Sequence, residues 1–167
     1  FTTTGEELES VVGSILKDRG QTVSTAESCT GGFLGHRLTN IPGSSTYYIL
    51  GIVAYSNQAK ISELGIDPEL IDKHGAVSSQ VAEVMARNVR EKCSSDFGLG
   101  VTGIAGPDGG TPEKPVGLVF TALSWLGGQH VEKNIFLGSR DRIKFQSSQK
   151  ILDMLRLHLH GQDWPQT

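Results

Sequence analysis

Apolar positions set the first element of the chain: Leu8, Val11, Val12, Ile15 and Leu16 recur at helical spacing behind a Thr4-x-x-Glu7 capping-box pattern, and Gly20 supplies a stop. Gln21 to Glu27 then reads as a strand and Gly31 to Leu38 as a short helix. Ile41-Pro42-Gly43-Ser44-Ser45 reads as a loop ending in a candidate cap. Gly51 to Tyr55 is the next strand, running through Ser56-Asn57 into a helical stretch from Gln58 to Leu64. Asp67-Pro68-Glu69 opens another short helix, and Ser78 begins a longer one carrying Val81, Val84, Met85 and Val89. Phe97 to Thr102 returns to strand. Gly103 to Pro115 is too rich in glycine and proline for a regular element, and loops of that length in compact domains are functional or disordered. Val116 to Trp125 and Gln129 to Leu137 flank Leu126-Gly127-Gly128 as a hairpin, and Asp141 to Leu159 closes the chain as a helix. This order predicts an α/β fold: a mostly parallel sheet, helices on both faces and at least one antiparallel strand.

Composition narrows the function classes. With 167 residues and 37% apolar content the chain suffices for one buried core, and no internal repeat argues for more than a single domain over residues 1–167. Fifteen basic and 18 acidic residues are interspersed, giving a formal charge of -3 and no basic stripe, so nucleic-acid binding is disfavoured. The longest apolar run, Tyr47 to Tyr55, is interrupted by Gly51 and falls far short of the ~20 residues of a membrane helix. A soluble, cytoplasmic protein without membrane partners is expected. Two cysteines far apart suit a reducing compartment better than a disulfide framework, and the five histidines do not cluster, so no metal site is indicated. Phe1 is not methionine, which suggests a piece of something longer.

The candidate chemistry lies at Thr25-Ala26-Glu27-Ser28-Cys29-Thr30-Gly31-Gly32, where a strand stops at small polar side chains and two glycines open a helix. Such a turn lifts a side chain to the carboxyl edge of a sheet and points backbone N–H groups at whatever binds there. Ser28 is either the nucleophile or a helix cap. A serine hydroxyl needs a base, no histidine lies near either strand-to-helix junction, and Lys60 at the second junction could serve if burial makes it neutral. The plain alternative for Lys60 is a solvated helix lysine. Tyr55 could aim its hydroxyl at Ser28 or Lys60, or cover the core with its ring. Cys29 is a rival nucleophile or a small buried filler. Arg140 suits a phosphate, though an arginine there can be a solvated charge. Thr102 and the glycine loop after it offer N–H groups at a third strand end, and Asp108 and Glu113 read as solvated carboxylates. Gly98-Leu99-Gly100-Val101-Thr102-Gly103 matches G-x-G-x-x-G but lies inside a strand, so it is set aside as coincidence.

These residues resemble a known family. Ala26 to Gly32, Pro42-Gly43-Ser44-Ser45, Tyr55-Ser56-Asn57-Gln58-Ala59-Lys60, Gly75-Ala76-Val77-Ser78, and Thr102 to Gly110 through Lys114-Pro115-Val116-Gly117 are similar in order and content to the CinA C-terminal domain, the nicotinamide mononucleotide (NMN) deamidase family. The likeness runs from about Glu6 to Leu157. It implies a three-layer α/β/α fold with a mixed sheet, and hydrolysis of the NMN carboxamide to nicotinic acid mononucleotide and ammonia in pyridine-nucleotide salvage. Neither a metal nor another cofactor is implied. The resemblance places the nucleophile on Ser28 and the lysine base on Lys60, with Tyr55, Thr102 and Arg140 in the pocket. On this reading the N–H groups of Thr30, Gly31 and Gly32 hold the oxyanion, and Arg140 holds the phosphate with the Ser44-Ser45 turn or the Gly103 loop. A homo-oligomer such as a dimer is expected, and Phe1 to Glu6 resembles the join to a larger N-terminal domain. The alternative is a non-catalytic nucleotide- or partner-binding domain of a competence/damage-inducible protein.

Overall fold

The computed structural model describes residues 7–162. Helix α1 (Leu8–Arg19) ends at Gly20, whose φ of 62° is the left-handed conformation a helix stop uses. Its cap position is Glu7, which makes no side-chain cap bond, so Glu7 is the cap itself and not the third residue of a capping box. The expected cap, Thr4, and the expected join over Phe1 to Glu6 lie outside the described residues.

Strand β1 (Val23–Glu27) leads into α2 (Phe33–Thr39) through Gly31 and Gly32, both at positive φ. A short 3-10 turn, Ser44–Thr46, precedes β2 (Tyr48–Val53), which starts before the expected Gly51 and ends before the expected Tyr55 because its pairing with β1 runs from Val23 opposite Tyr48 to Glu27 opposite Val53, with a register shift after Val23. Helices α3 (Asn57–Leu64), α4 (Pro68–His74) and α5 (Ser79–Cys93) each start at a side chain that accepts a backbone N–H: Ser56, Asp67 and Ser78. Strands β3 (Phe97–Gly103), β4 (Leu118–Trp125) and β5 (Gly128–Ile135) follow, the last two joined at the expected hairpin, and α6 (Arg140–Leu159) closes the fold behind the cap Ser139.

The five strands form one mixed sheet in the order β2-β1-β3-β4-β5. β1 pairs parallel with both β2 and β3, while β4 runs antiparallel to β3 and β5. One face carries α1, α2 and α6 over a core that includes Val12, Leu16, Leu34, Leu38, Leu99 and Leu155. The other carries α5, flanked by α3 and α4, over Ala26, Ile66, Val81 and Met85. The glycines at 98 and 100, which made the false dinucleotide motif, let α5 lie directly on β3: a Cβ on Gly100 would stand 2.5 Å from the Ala82 carbonyl oxygen.

This topology fixes where chemistry can occur. The chain leaves β1 toward α2 on one face and leaves the adjacent β2 toward α3 on the opposite face. A crevice therefore opens between the carboxyl ends of these two strands, the place where open α/β sheets bind their ligands.

Candidate active site

The crevice brings together the two junctions that carry Ser28 and Lys60. Ser28 follows β1 directly, its N–H bonded to the Val101 carbonyl, so its side chain stands at the sheet edge. Lys60 lies in the first turn of α3, only 2% exposed, and its Nζ is 2.9 Å from Ser28 Oγ and 2.9 Å from the Ala54 carbonyl oxygen. Among the described residues no carboxylate forms an ion pair with Lys60. Burial accordingly lowers its pKa below the ordinary 10.5, because the ammonium loses water without gaining a counter-charge. A negative charge on Cys29 would oppose this, but burial pushes that thiol up to about 12, so at neutral pH it is uncharged. A neutral amine has two protons and one lone pair. Donating to Ala54 leaves the lone pair free to receive the Ser28 proton.

The same burial settles the role of Cys29. A thiol 6% exposed, with its pKa raised so far, carries almost no thiolate, and it packs among the core residues of the α1/α2/α6 face.

The start of α2 is arranged differently from the expectation that it holds an oxyanion. The Gly31 N–H donates to the Ser28 carbonyl at 3.0 Å. The buried carboxylate of Glu27 accepts from Gly32 N–H at 3.0 Å, Leu34 N–H at 3.0 Å and Gly35 N–H at 2.8 Å. Gly31 and Gly32 thus have no free donor to offer, and Glu27 satisfies the orphan N–H groups and the dipole of the helix. Cys29 and Thr30 supply the N–H groups in this turn that donate to no oxygen of the described residues. The Thr30 side chain is fully buried, its Oγ1 without a partner among the described residues, so only its backbone can face a ligand.

A cavity of about 270 Å³ opens over the pair, lined among others by Ser28, Lys60, Tyr55, Thr102, Gly103 and Arg140. Tyr55 does not reach Ser28 or Lys60 with its hydroxyl; it accepts instead from Arg140 Nη2 at 2.7 Å, and the residue is 58% exposed at the cavity. Arg140 Nη1 also donates to the Gly106 carbonyl at 2.7 Å, so this guanidinium ties the second junction, the glycine loop and α6 together. Thr102 Oγ1 donates to the Ala76 carbonyl at 2.8 Å and pins the α4–α5 connection to the sheet edge. Lys114 does the same for the glycine loop, donating to the carbonyls of His74 and Val77 at 2.8 Å each.

Ser44 and Ser45 take no part in the cavity of this chain. They precede β2, whose first residue pairs with Val23, whereas the cavity lies beyond Val53, so the length of a strand separates them from Ser28. Two residues with no assigned task in the sequence, Glu27 and Lys114, prove to hold the site together. The signal for Glu27 was available: a carboxylate immediately before a glycine-led helix start is placed to cap it. A larger hollow of about 410 Å³ between α4 and α5, lined by Asp67, Glu69, Lys73 and Arg87 among others, contains no nucleophile with a base. No described helix is long and apolar enough to cross a membrane.

Comparison with known proteins is consistent across sequence and structure. The family model described as the CinA C-terminal domain matches residues 5–159. A CinA-like protein of Koribacter versatilis is 53% identical over 159 residues, covering 95% of this chain and 38% of that protein. The chain spans about two fifths of the length of the curated relatives it matches. The crystal structure of the competence/damage inducible protein CihA from Agrobacterium tumefaciens superposes with a TM-score of 0.88 at 37% identity, covering 96% of this chain and 99% of that one. That of the competence damage-inducible protein A from Klebsiella pneumoniae gives 0.89 at 30% identity, covering 92% and 95%.

Proposed function

This chain belongs to the CinA C-terminal domain family, and from that premise we propose that it is a metal-independent serine amidohydrolase that converts NMN to nicotinic acid mononucleotide and ammonia. The observation that carries this reading is the 2.9 Å contact between Ser28 Oγ and the Nζ of a buried, unpaired Lys60. A structural lysine gains nothing from losing its water and its charge there, whereas a general base needs both.

In the proposed reaction neutral Lys60 takes the Ser28 proton as Oγ attacks the carboxamide carbon. The developing oxyanion accepts from the N–H groups of Cys29 and Thr30, the first being the residue after the nucleophile, a common source of such a donor. The charged Lys60 then protonates the departing nitrogen as the C–N bond breaks, releasing ammonia and leaving an acyl-serine ester. Water attacks that ester with Lys60 again as base, and Ser28 recovers its proton as the carboxylate product leaves. The exposed face of Tyr55 suits a pyridinium cation, and Arg140 holds that ring in place while offering positive charge to a phosphate.

The test is ammonia release from NMN by the wild type, Ser28→Ala and Lys60→Met. The reading expects each variant to lose nearly all turnover while keeping its circular dichroism spectrum. Substantial turnover in Ser28→Ala refutes it. NMN binding by calorimetry with no ammonia from the wild type would make the domain a nucleotide-binding module.

A further inference from the structure

Arg140 lines the cavity together with one carboxylate, Asp108, and Lys144 stands beside the adjoining Gly31 turn. Among the described residues neither Arg140 nor Lys144 forms an ion pair, although the chain as a whole is acidic. Arg140 occupies the first turn of α6, where the helix dipole opposes a cation, so helix stability does not account for it. Lys144 follows four residues later and shares its face of the helix.

Lys144 is half-buried, and its side chain makes no hydrogen bond to the described residues. Its position is set by the glycine turn: a Cβ built on Gly31 would lie 3.9 Å from Lys144 Nζ. Gly31 closes the turn that begins at the nucleophile, through its N–H bond to the Ser28 carbonyl. Since the Cα atoms at the ends of such a turn lie within about 7 Å, the ammonium stands on the order of 12 Å or less from the Ser28 Cα. Arg140 flanks the nucleophile from the Tyr55 side and Lys144 from the Gly31 side. An anion bound against this face of α6 meets both charges, and the Glu27 carboxylate already accepts from three backbone donors.

We infer that Lys144 and Arg140 form the phosphate end of the substrate cavity, and that Lys144 is the residue that makes the site prefer a nucleoside monophosphate over the corresponding nucleoside. The inference rests on the amidohydrolase reading for its substrate. It replaces the Ser44-Ser45 turn as the second phosphate contact. A mononucleotide with its carboxamide at Ser28 extends its ribose over the turn and delivers its phosphate to α6.

The experiment compares wild type, Lys144→Met and Lys144→Arg in ammonia release from NMN and from nicotinamide riboside, which lacks the phosphate. Removing one charged contact should raise KM for NMN by roughly tenfold to a hundredfold with little change in kcat. The kcat/KM ratio of nucleotide to riboside should fall by the same factor, and Lys144→Arg should restore most of it. Equal losses on both substrates, or an unchanged ratio, overturn the assignment. If the wild type hydrolyses neither compound, the amidohydrolase reading fails by itself, and calorimetry with NMN and with inorganic phosphate still decides this one: Lys144→Met must bind both more weakly than wild type, and equal binding overturns it.

Discussion

Replacing Glu27 by glutamine isolates the carboxylate that closes the start of α2, because the side chain keeps its length and shape. In the native chain Oε2 accepts from Gly32 and Leu34 and Oε1 from Gly35, and the Leu34 and Gly35 N–H groups are buried beyond the reach of water. An amide offers one oxygen, so either Gly35 or the Gly32–Leu34 pair faces an NH2 group instead of an acceptor. A lost hydrogen bond to a charged group costs about 1.5–3 kcal/mol. Losing the negative charge at the helix start adds about 0.3–1 kcal/mol, and up to ~2 kcal/mol when the site is partly buried. Glu27→Gln should therefore destabilise the fold by roughly 2–5 kcal/mol, a large share of the ~5–15 kcal/mol available to a typical domain. At about 2–4 °C per kcal/mol for a chain of this size, the melting temperature drops on the order of 10 °C. Urea unfolding followed by circular dichroism measures the change, with Ser56→Ala as the reference. Ser56 Oγ accepts a single exposed N–H, from Ala59 at 3.0 Å, and its loss should cost only about 1 kcal/mol. A Glu27→Gln midpoint equal to wild type, or above that of Ser56→Ala, refutes the argument.

Other perturbations follow from the same geometry. In the proposed reaction Lys60 acts as a neutral amine, and burial lowers its pKa below 10.5, so kcat/KM should rise with pH through that lowered value and then level; a flat profile removes Lys60 as base. The corresponding stability term is present in full above 10.5 and is lost as pH falls through the folded value, so wild type should gain on Lys60→Met in urea midpoint as pH rises across that window. Gly100→Ala forces a Cβ to 2.5 Å from the Ala82 oxygen and 2.8 Å from the Ala86 nitrogen, so α5 must lift from β3; thermal melts should read a loss of about 1–3 kcal/mol. Cys29, buried and with a pKa of about 12, should resist alkylation at pH 8 in the native state and react once urea is added, as mass spectrometry of the modified peptide would report.

Local signals carried most of the fold. Ser56, Asp67 and Ser78 announce their helices because a cap is a contact between near neighbours in the chain. The Leu126-Gly127 turn announces its hairpin for the same reason. What was harder to read is whatever depends on strand direction or side-chain reach. Ser44 and Ser45 looked like candidates for the pocket until β2 proved to run parallel to β1, which puts residues before β2 at the opposite end of the sheet. Tyr55 sits at the expected junction, but an arginine 85 positions later holds its hydroxyl. The approach of Lys60 to Ser28 rests on a crevice that exists only once the connections leave β1 and β2 on opposite faces. Neither junction contains that information alone.

Lys60, the base of the proposed reaction, follows β2, which among the described residues is the margin of the sheet and pairs with β1 alone. No charged residue occurs between Arg37 and Lys60, so this border is held by backbone pairing, apolar contact and uncharged side-chain hydrogen bonds such as that between the Thr25 and Tyr48 hydroxyls. Local opening at such a border takes less free energy than global unfolding. When β2 peels away while β1, β3, β4 and β5 remain joined, the Ala54 carbonyl that follows it no longer positions Lys60 Nζ against Ser28 Oγ, although Asn88 still holds the end of α3 through the Leu64 carbonyl. On the amidohydrolase reading, functional and conformational stability therefore part company: inactivation by heat or urea should precede the loss of helical signal, and the gap between the two midpoints would measure how firmly the sheet's border is fastened.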